Sequence, residues 1–429
     1  MRLKGKKVLV YGLGTSGQEV CKLLHSEGAC VSIYDDDKRF SGLFCYEKKP
    51  EEKNFDFVVV SPGIKVLGNH MIARFLEENK VISELDFAYS FMKGRVIAIT
   101  GTNGKTTVCS LLGKIFNEAK IHNFVCGNIG LPMSSIAKKT TKKTVSIVEV
   151  SNFQLELSNR FHPNVASVLN ITEDHMDRHG NMQEYKRVKE KIFQNLSKKD
   201  YAVVNLDDDE SLNLKFPKRK KYFSKNELEK GACVKNGYIY CDKKKIMFQS
   251  EIPLIGEKNL ENVLCCVQIA RLFHIKPQII RRAIASFKAP SHRLEYIGEI
   301  DGVKIYNDSK STNVACTLMA VESLKAENLI LMVGGRNKDS NFDKLFSQNL
   351  NIREVVVFGE SREELLTSAQ KFGYQVVGFE KMAEAVQYVK GNMEEGQTVL
   401  FSPACASFDE FGSYAARGQR FKELILGQE

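Results

Sequence analysis

The stretch Ala98-Ile-Thr-Gly-Thr-Asn-Gly-Lys-Thr-Thr107 constrains this chain more than any other. The apolar run Arg95 to Thr100 predicts a short buried strand. Val108 to Glu118, with Leu111, Leu112, Ile115 and Phe116 on one face, predicts the helix that follows. Between them lies a tight turn containing Gly101 and Gly104. Backbone N–H groups at such a junction, the positive end of the helix and the single lysine, Lys105, make a cradle for a polyphosphate. Thr106 is placed to put its hydroxyl on Mg²⁺. The turn is a variant of the general P-loop pattern, whose first glycine would fall at Ile99. ATP is the expected ligand.

A length of 429 residues predicts two or three domains, and 43% hydrophobic with 27% charged residues predicts a globular protein. No apolar run reaches membrane-spanning length, and Met1 to Lys7 leads into a strand rather than a signal-peptide core, so a cytoplasmic protein is expected. The 11 cysteines lack a Cys-x-x-Cys pair, and Cys21, Cys109 and Cys265 fall on apolar helix faces, which fits free thiols in a reducing compartment. The net charge of +10 favours anionic partners. Its lysines come in separated clusters such as Lys138-Lys139 and Lys243 to Lys245, without interleaved aromatics, so no nucleic acid is expected. A polyanionic small substrate is.

Residues 1–90 open with a strand, Lys7 to Tyr11, the glycine turn Gly12-Leu-Gly-Thr-Ser-Gly17, a helix to Gly28, and a strand Cys30 to Tyr34 ending at Asp35. Taken alone, this fingerprint with its acid says NAD. No recognisable nicotinamide half follows, however, and the strand Phe57 to Ser61 brings a further turn, Pro62-Gly63-Ile64, to the carboxyl edge of the same sheet. A binder of a nucleotide diphosphate is expected, with a purely structural turn as the alternative.

Residues 91–290 own the lysine turn. The strand from Thr144 ends in Glu149, where such a sheet places an acid for Mg²⁺. The strand Val165 to Leu169 runs into Asn170-Ile-Thr-Glu-Asp-His-Met-Asp-Arg-His179, which reads as a helix cap, as a zinc site through His175 and His179, or as part of a Mg²⁺ site. A helix from Asn181 to Leu196 carries Lys186, Lys189 and Lys191. Asn259 and Asn262, before a helix Val263 to Phe273, either contact an adenine or cap that helix.

Past Pro290, residues 291–429 alternate strands with helical stretches, predicting a largely parallel sheet. Three strands end in polar turns, at 307–313, 334–338 and 402–408. Loops at the carboxyl ends of parallel strands converge on one ligand, and their donors Thr312, Lys338 and Ser407 suit a carboxylate.

Taken together, Gly101 to Thr107, Gly127-Asn128-Ile-Gly130, Glu149 to Glu156, Asn170 to Arg178, Asn307 to Asn313 and Ser402 to Asp409 resemble, in order, the motifs of the Mur ligases. The likeness spans the chain. The last two motifs are those of the members that add D-glutamate in peptidoglycan synthesis.

The resemblance implies an α/β fold of three domains: a Rossmann-like N-terminal one, a P-loop ATPase-like centre and a Rossmann-like C-terminal one. It implies ATP-dependent amide formation through an acyl phosphate, on UDP-N-acetylmuramoyl-L-alanine and D-glutamate, by a monomer. Thr15, Ser16, Asp35 and Gly63 are implied to line the UDP pocket, with Asn128 and His175 nearer the muramoyl part. Gly104, Lys105, Thr106 and Thr107 are implied at the ATP phosphates, and Asn259, Asn262, Arg293 and Asp308 around the rest of the nucleotide. Thr106, Glu149 and His175 are the implied metal ligands, with Lys189 as the lysine the family carries as a carbamate. Thr312, Lys338, Ser407 and Phe408 are implied to hold D-glutamate, with Tyr414 nearby. The chain departs from the family at Val150 and Asn152, where Leu and Ser are usual, and at Lys258, where histidine is common.

Overall fold

The computed structural model describes residues 2–36, 44–47, 50, 53–66, 68–217, 219–338 and 340–427. In it the lysine turn joins strand Arg95–Thr100 to helix Lys105–Glu118. The helix starts at Lys105 rather than Val108 because Gly104, at φ 85°, is its N-cap, and the Lys-Thr-Thr run carries no apolar mark of a helical face. Leu111, Leu112, Ile115 and Phe116 are all fully buried, as the periodicity predicts.

Among the described residues the strands form three sheets. The first, in spatial order, holds Cys45–Tyr46, Cys30–Tyr34, Lys7–Tyr11, Phe57–Val60 and Val81–Ser83, all parallel. The chain order reverses between Lys7–Tyr11 and Phe57–Val60. The two turns singled out from the sequence therefore leave neighbouring strands at their carboxyl ends, the place where open sheets bind ligands.

The second sheet has nine strands. Asn123–Gly127, Val145–Glu149, Arg95–Thr100, Val165–Val168, Tyr201–Asn205, Lys220–Ser224 and Ala232–Lys235 run parallel. The hairpin strands Tyr238–Cys241 and Lys244–Phe248 close one edge antiparallel. The strands Val145–Glu149 and Val165–Val168 are buried along their whole length. Apolar side chains fall on both faces of each, with Ser146 and Ser167 buried among them, as expected of central parallel strands covered on both sides.

The third sheet runs Glu295–Ile300, Val303–Asn307, Thr398–Ala404, Leu329–Gly334, Ile352–Phe358 and Val376–Phe379, with only the first strand antiparallel. Two compact units result: Met1–Ile252 with Glu261–Phe287, and Pro253–Leu260 with Lys288–Glu429.

Within the first unit, helix Glu84–Tyr89 joins the first sheet to the second. The Asp86 carboxylate accepts from Ser158 Oγ (2.7 Å) and from the backbone N–H groups of Asn159, Arg160 and Phe161. Four donors on one buried carboxylate satisfy the turn that leads into Val165–Val168.

Two further helices differ from expectation. Helix Glu257–Leu272 begins well before Val263, so Asn259 and Asn262 lie inside it. The helix capped by Asn181 ends at Glu190 and tightens into a 3-10 turn over Lys191–Phe193. All 11 cysteines are free thiols, mostly buried. No helix among the described residues is long and apolar enough to cross a membrane.

Candidate active site

At the first sheet, the glycine turn is held from two sides. Leu13 N–H donates to Asp35 Oδ2 at 2.6 Å, and Ser61 Oγ donates to the Gly12 carbonyl at 2.6 Å. A Cβ on Gly17 would stand 1.9 Å from the Gly12 oxygen, so only glycine lets the helix Thr15–Ser26 start this close to its own turn. Thr15 and Ser16 open that helix, Thr15 exposed and Ser16 half-buried. Asp35 thus has a definite structural task at the position where the fingerprint expects an acid. Gly63, exposed, sits in the neighbouring turn.

At the second sheet, Lys105 folds back over its own turn, donating to the carbonyls of Gly101 (2.8 Å) and Thr102 (2.7 Å). Lys189 Nζ reaches the same Gly101 oxygen at 3.1 Å and lies 4.5 Å over the Tyr185 ring. Its side chain is 1% exposed. Burial first, then the Lys105 charge, pushes the Lys189 ammonium pKa well below the usual lysine range.

The turn is locked to the next strand's end. Asn103 N–H donates to Asn170 Oδ1 at 2.9 Å, and Thr102 Oγ1 donates to Thr172 O at 3.1 Å. Glu149, 2% exposed, accepts from Thr106 Oγ1 (2.9 Å) and Asn128 Nδ2 (2.8 Å). Thr107 is buried on the helix's inner side. Asn262 packs onto the turn so closely that a Cβ on Gly104 would meet its Oδ1 at 2.3 Å. Asn259 donates to Ile255 O at 2.8 Å, a bond within its own helix start.

His175 occupies a left-handed conformation, φ 55°, with its ring 4.8 Å from that of Phe153. His179 turns elsewhere. It is buried against Tyr185 and Phe153 and bonded to the Asn152 amide, and burial lowers its pKa against the opposing pull of Glu156. The unusual Asn152 is therefore the partner of His179. The pair does not converge on a zinc site, and no group of three or more His, Cys, Asp and Glu side chains among the described residues is gathered to hold a metal. What the lysine turn offers is a set of hard oxygens, Thr106 and Glu149, beside a phosphate cradle. Such a set suits an ion that shares its coordination with phosphate and water.

In the second unit, Asp308 is buried and accepts from Leu294 N–H (2.9 Å), Ser311 Oγ (2.5 Å) and Ser402 Oγ (2.8 Å). Burial outweighs these bonds and pushes its pKa up to about 6, with Arg293 pulling the other way. The turns at 334–338 and 402–408 meet through paired backbone bonds between Arg336 and Ala406, each 2.9 Å. Lys338 Nζ lies 6.0 Å from the centre of the Phe408 ring, which is 60% exposed, while Ser407 is buried. Tyr414 stacks under Lys310 at 3.7 Å, and its carbonyl accepts from Ser309 Oγ. Thr312, half-buried, follows Ser311 in the same loop.

Comparison with known proteins decides the family. The model for the Mur ligase middle domain matches residues 99–270, and that for the Mur ligase glutamate ligase domain matches 292–405. A relative from Thermoanaerobacter sp. (strain X514), UDP-N-acetylmuramoylalanine--D-glutamate ligase, is 37% identical over 99% of both chains. A protein of that name from Enterococcus hirae is 35% identical over 98% of this chain and 96% of its own.

The chain belongs to the Mur ligase family.

Among solved structures, UDP-N-acetylmuramate-alanine ligase MurC from Thermotoga maritima matches this Mur ligase with a TM-score of 0.63 at 17% identity, over 99% of this chain and 100% of its own. MurF from Thermotoga maritima in complex with ADP matches with a TM-score of 0.62 at 16% identity, over 100% and 96%. These likenesses concern the fold alone.

Two arginines of this Mur ligase escape the sequence reading. Arg417, 1% exposed, donates to the carbonyls of Ser309, Gly334, Cys405 and Ala406 and to Ser309 Oγ, so one side chain holds all three polar turns. Its only signal in the sequence is its spacing from Phe421 and Ile425, which puts it on the buried stripe of the last helix. Arg178 lies within a recognised motif, yet nothing there says what it touches.

Proposed function

We propose that this Mur ligase joins the amine of D-glutamate to the alanyl carboxylate of UDP-N-acetylmuramoyl-L-alanine, converting ATP to ADP and phosphate, as a cytoplasmic step of peptidoglycan synthesis. The observation that carries the reading is end-to-end similarity, at 35–37% identity, to ligases named for that reaction. Residues 1–90 serve as the UDP-substrate module, Rossmann-like, 91–290 as the P-loop ATP module and 291–429 as the Rossmann-like amino-acid module. The enzyme works as a monomer, with no nucleic-acid or membrane partner.

A free carboxylate does not form an amide at a useful rate, because its oxygen is a poor leaving group. Transfer of the γ-phosphoryl group to that oxygen releases ADP and leaves an acyl phosphate. The D-glutamate amine then attacks the carbonyl carbon, a tetrahedral intermediate forms, and phosphate departs with the electron pair of the C–O bond while the amine loses its proton. Lys105 moves from its carbonyl partners to the phosphates and offsets the charge that develops there. Gly104, Thr106 and Thr107 frame those phosphates from the helix start, and Asn259, Asn262, Arg293 and Asp308 surround the remainder of the nucleotide.

Thr106, Glu149, His175 and a carbamate on Lys189 would hold Mg²⁺, which when bound neutralises phosphate charge. A buried lysine with a depressed pKa carries the neutral amine that carbamate formation requires, which supports Lys189 in this role. Thr15, Ser16, Asp35 and Gly63 receive the UDP end, and Asn128 and His175 the muramoyl end. Thr312, Lys338 and Ser407 bind the D-glutamate carboxylates, with Phe408 and Tyr414 against its carbon chain.

The test is ADP release from the purified enzyme, with each amino acid in turn, with and without the UDP-sugar. Turnover only with D-glutamate and UDP-N-acetylmuramoyl-L-alanine together is expected. Equal turnover with another amino acid would reassign the enzyme to a different Mur or folylpolyglutamate-type reaction. ADP release without any acceptor would make it a regulatory NTPase.

A further inference from the structure

Arg178, three residues after His175 in the same motif, has a side chain only 9% exposed. Its guanidinium does two things at once. One edge forms a fork on Glu156, Nε to Oε1 at 2.8 Å and Nη2 to Oε2 at 2.6 Å. The other edge donates to the carbonyls of the turn in the first sheet: Pro62 (3.2 Å), Gly63 (3.4 Å) and Ile64 (2.8 Å). Its flat face lies 4.2 Å over the Phe153 ring, whose edge meets His175.

The other side of the same turn is fitted to the glycine turn. Ser61 Oγ donates to the Gly12 carbonyl, and Ile64 packs so near that a Cβ on Gly12 would stand 3.0 Å from its Cγ1. A continuous chain of contacts therefore runs from Gly12 through Pro62-Gly63-Ile64 and Arg178 to Phe153 and His175. Only a planar fork with donors on two edges can span it; a lysine has one compact head.

We propose that Arg178 is a positioning residue for the UDP-substrate. It sets the separation between the turn that receives the nucleotide end and the His175 segment that receives the reacting end, and so matches the site to the length of that substrate. The inference rests on the assignment of those two segments to the UDP-substrate made above. Arg178 itself touches no reacting atom. Its loss therefore acts through the register of the two ends, and binding of ATP and of D-glutamate is left as it was.

The experiment uses the full chain with Arg178→Lys, which keeps the charge, and Glu156→Gln, which keeps the shape but weakens the fork. Steady-state kinetics with each substrate varied should show the UDP-substrate KM of Arg178→Lys rising about tenfold or more, with the D-glutamate KM and kcat within about threefold of the parent and Glu156→Gln intermediate. A purely structural loss would instead lower kcat and raise all three KM values together. In parallel, amide exchange at residues 63–66 should accelerate about tenfold in Arg178→Lys, while strand Lys7–Tyr11 keeps its protection. The second arm needs no substrate, so it decides the clamp even if the parent enzyme proves inactive on the UDP-sugar, a result that would count against the function and not against Arg178. An unchanged UDP-substrate KM in an active variant, or unchanged exchange at 63–66, overturns the proposal.

Discussion

Arg417→Lys is the sharpest probe of how the second unit is built. The guanidinium donates to four buried carbonyls and one hydroxyl, at 3.0 to 3.3 Å, drawn from three turns. Its pKa is pushed down to about 10 by burial, so the side chain is still charged at neutral pH and lysine preserves that charge. What lysine cannot preserve is the spread of donors. A compact ammonium reaches about half of these acceptors and orphans two carbonyls, each costing about 1–3 kcal/mol, so a loss of about 2–6 kcal/mol is expected.

At about 2–4 °C per kcal/mol for a unit of this size, the melting temperature should fall on the order of 10 °C. Calorimetry reads that shift, and amide exchange locates it at 404–407 and 334–336. The D-glutamate KM should rise in the same variant, because Lys338, Ser407 and Phe408 ride on those turns. A melting temperature within about 2 °C of the parent, with those amides equally protected, refutes the view that one arginine holds the three turns.

Lys105→Ala should lower turnover by about a thousandfold or more while costing only a few degrees of melting temperature, since Lys105 is half-buried and the Gly101 carbonyl keeps Lys189 as a donor; retained activity in the ADP-release assay contradicts its role. Lys338→Ala should raise the D-glutamate KM by about tenfold or more and leave the UDP-substrate KM alone, as steady-state kinetics will show. Asp308 sets a pH dependence: its folded pKa, about 6, lies above the ordinary value of 3.8. Stability from this group is thus fully present below about pH 4 and lost as the pH rises through about 6, for a total of about 3 kcal/mol. Denaturant melts of the parent against Asp308→Asn should diverge by that amount between pH 4 and 7, and parallel pH profiles would remove the effect.

The parts of the fold legible in the sequence are those where one residue type has one physical job. Gly12 must be glycine because it holds φ 91° against the Ser61 and Ile64 side chains, Gly17 because the Gly12 carbonyl stands where its Cβ would be, and Val145, Ile147 and Val148 must be apolar because their strand is buried along its whole length. The strands between Tyr201 and Phe248 were harder to read. They are only four or five residues long, and three of them carry lysine at an end, so no period stands out. The start of helix Glu257–Leu272 was hidden similarly, since its first turn is polar and only the buried turns from Val263 onward carry the apolar signal.

The candidate site divides along the same line. Residues that would meet ligand, such as Lys105, Glu149 and Lys338, stand at strand ends and turns, where a polar side chain in a recognisable pattern can be read from the sequence. Arg178 and Arg417 meet only protein, and each is surrounded in sequence by residues of every kind. Their value comes from contacts far along the chain, Pro62 to Ile64 for one and Ser309, Gly334 and Cys405 for the other, which no local pattern encodes. Both solve the same problem. A turn that presents its side chains and amides to a ligand leaves carbonyls that need donors from behind, and a planar guanidinium supplies several from one buried position. Each unit thus fixes the turns proposed to face ligand with an arginine whose own partners are all protein. Substitutions at these two positions should therefore alter substrate affinity through turn geometry, the two KM effects falling on different substrates.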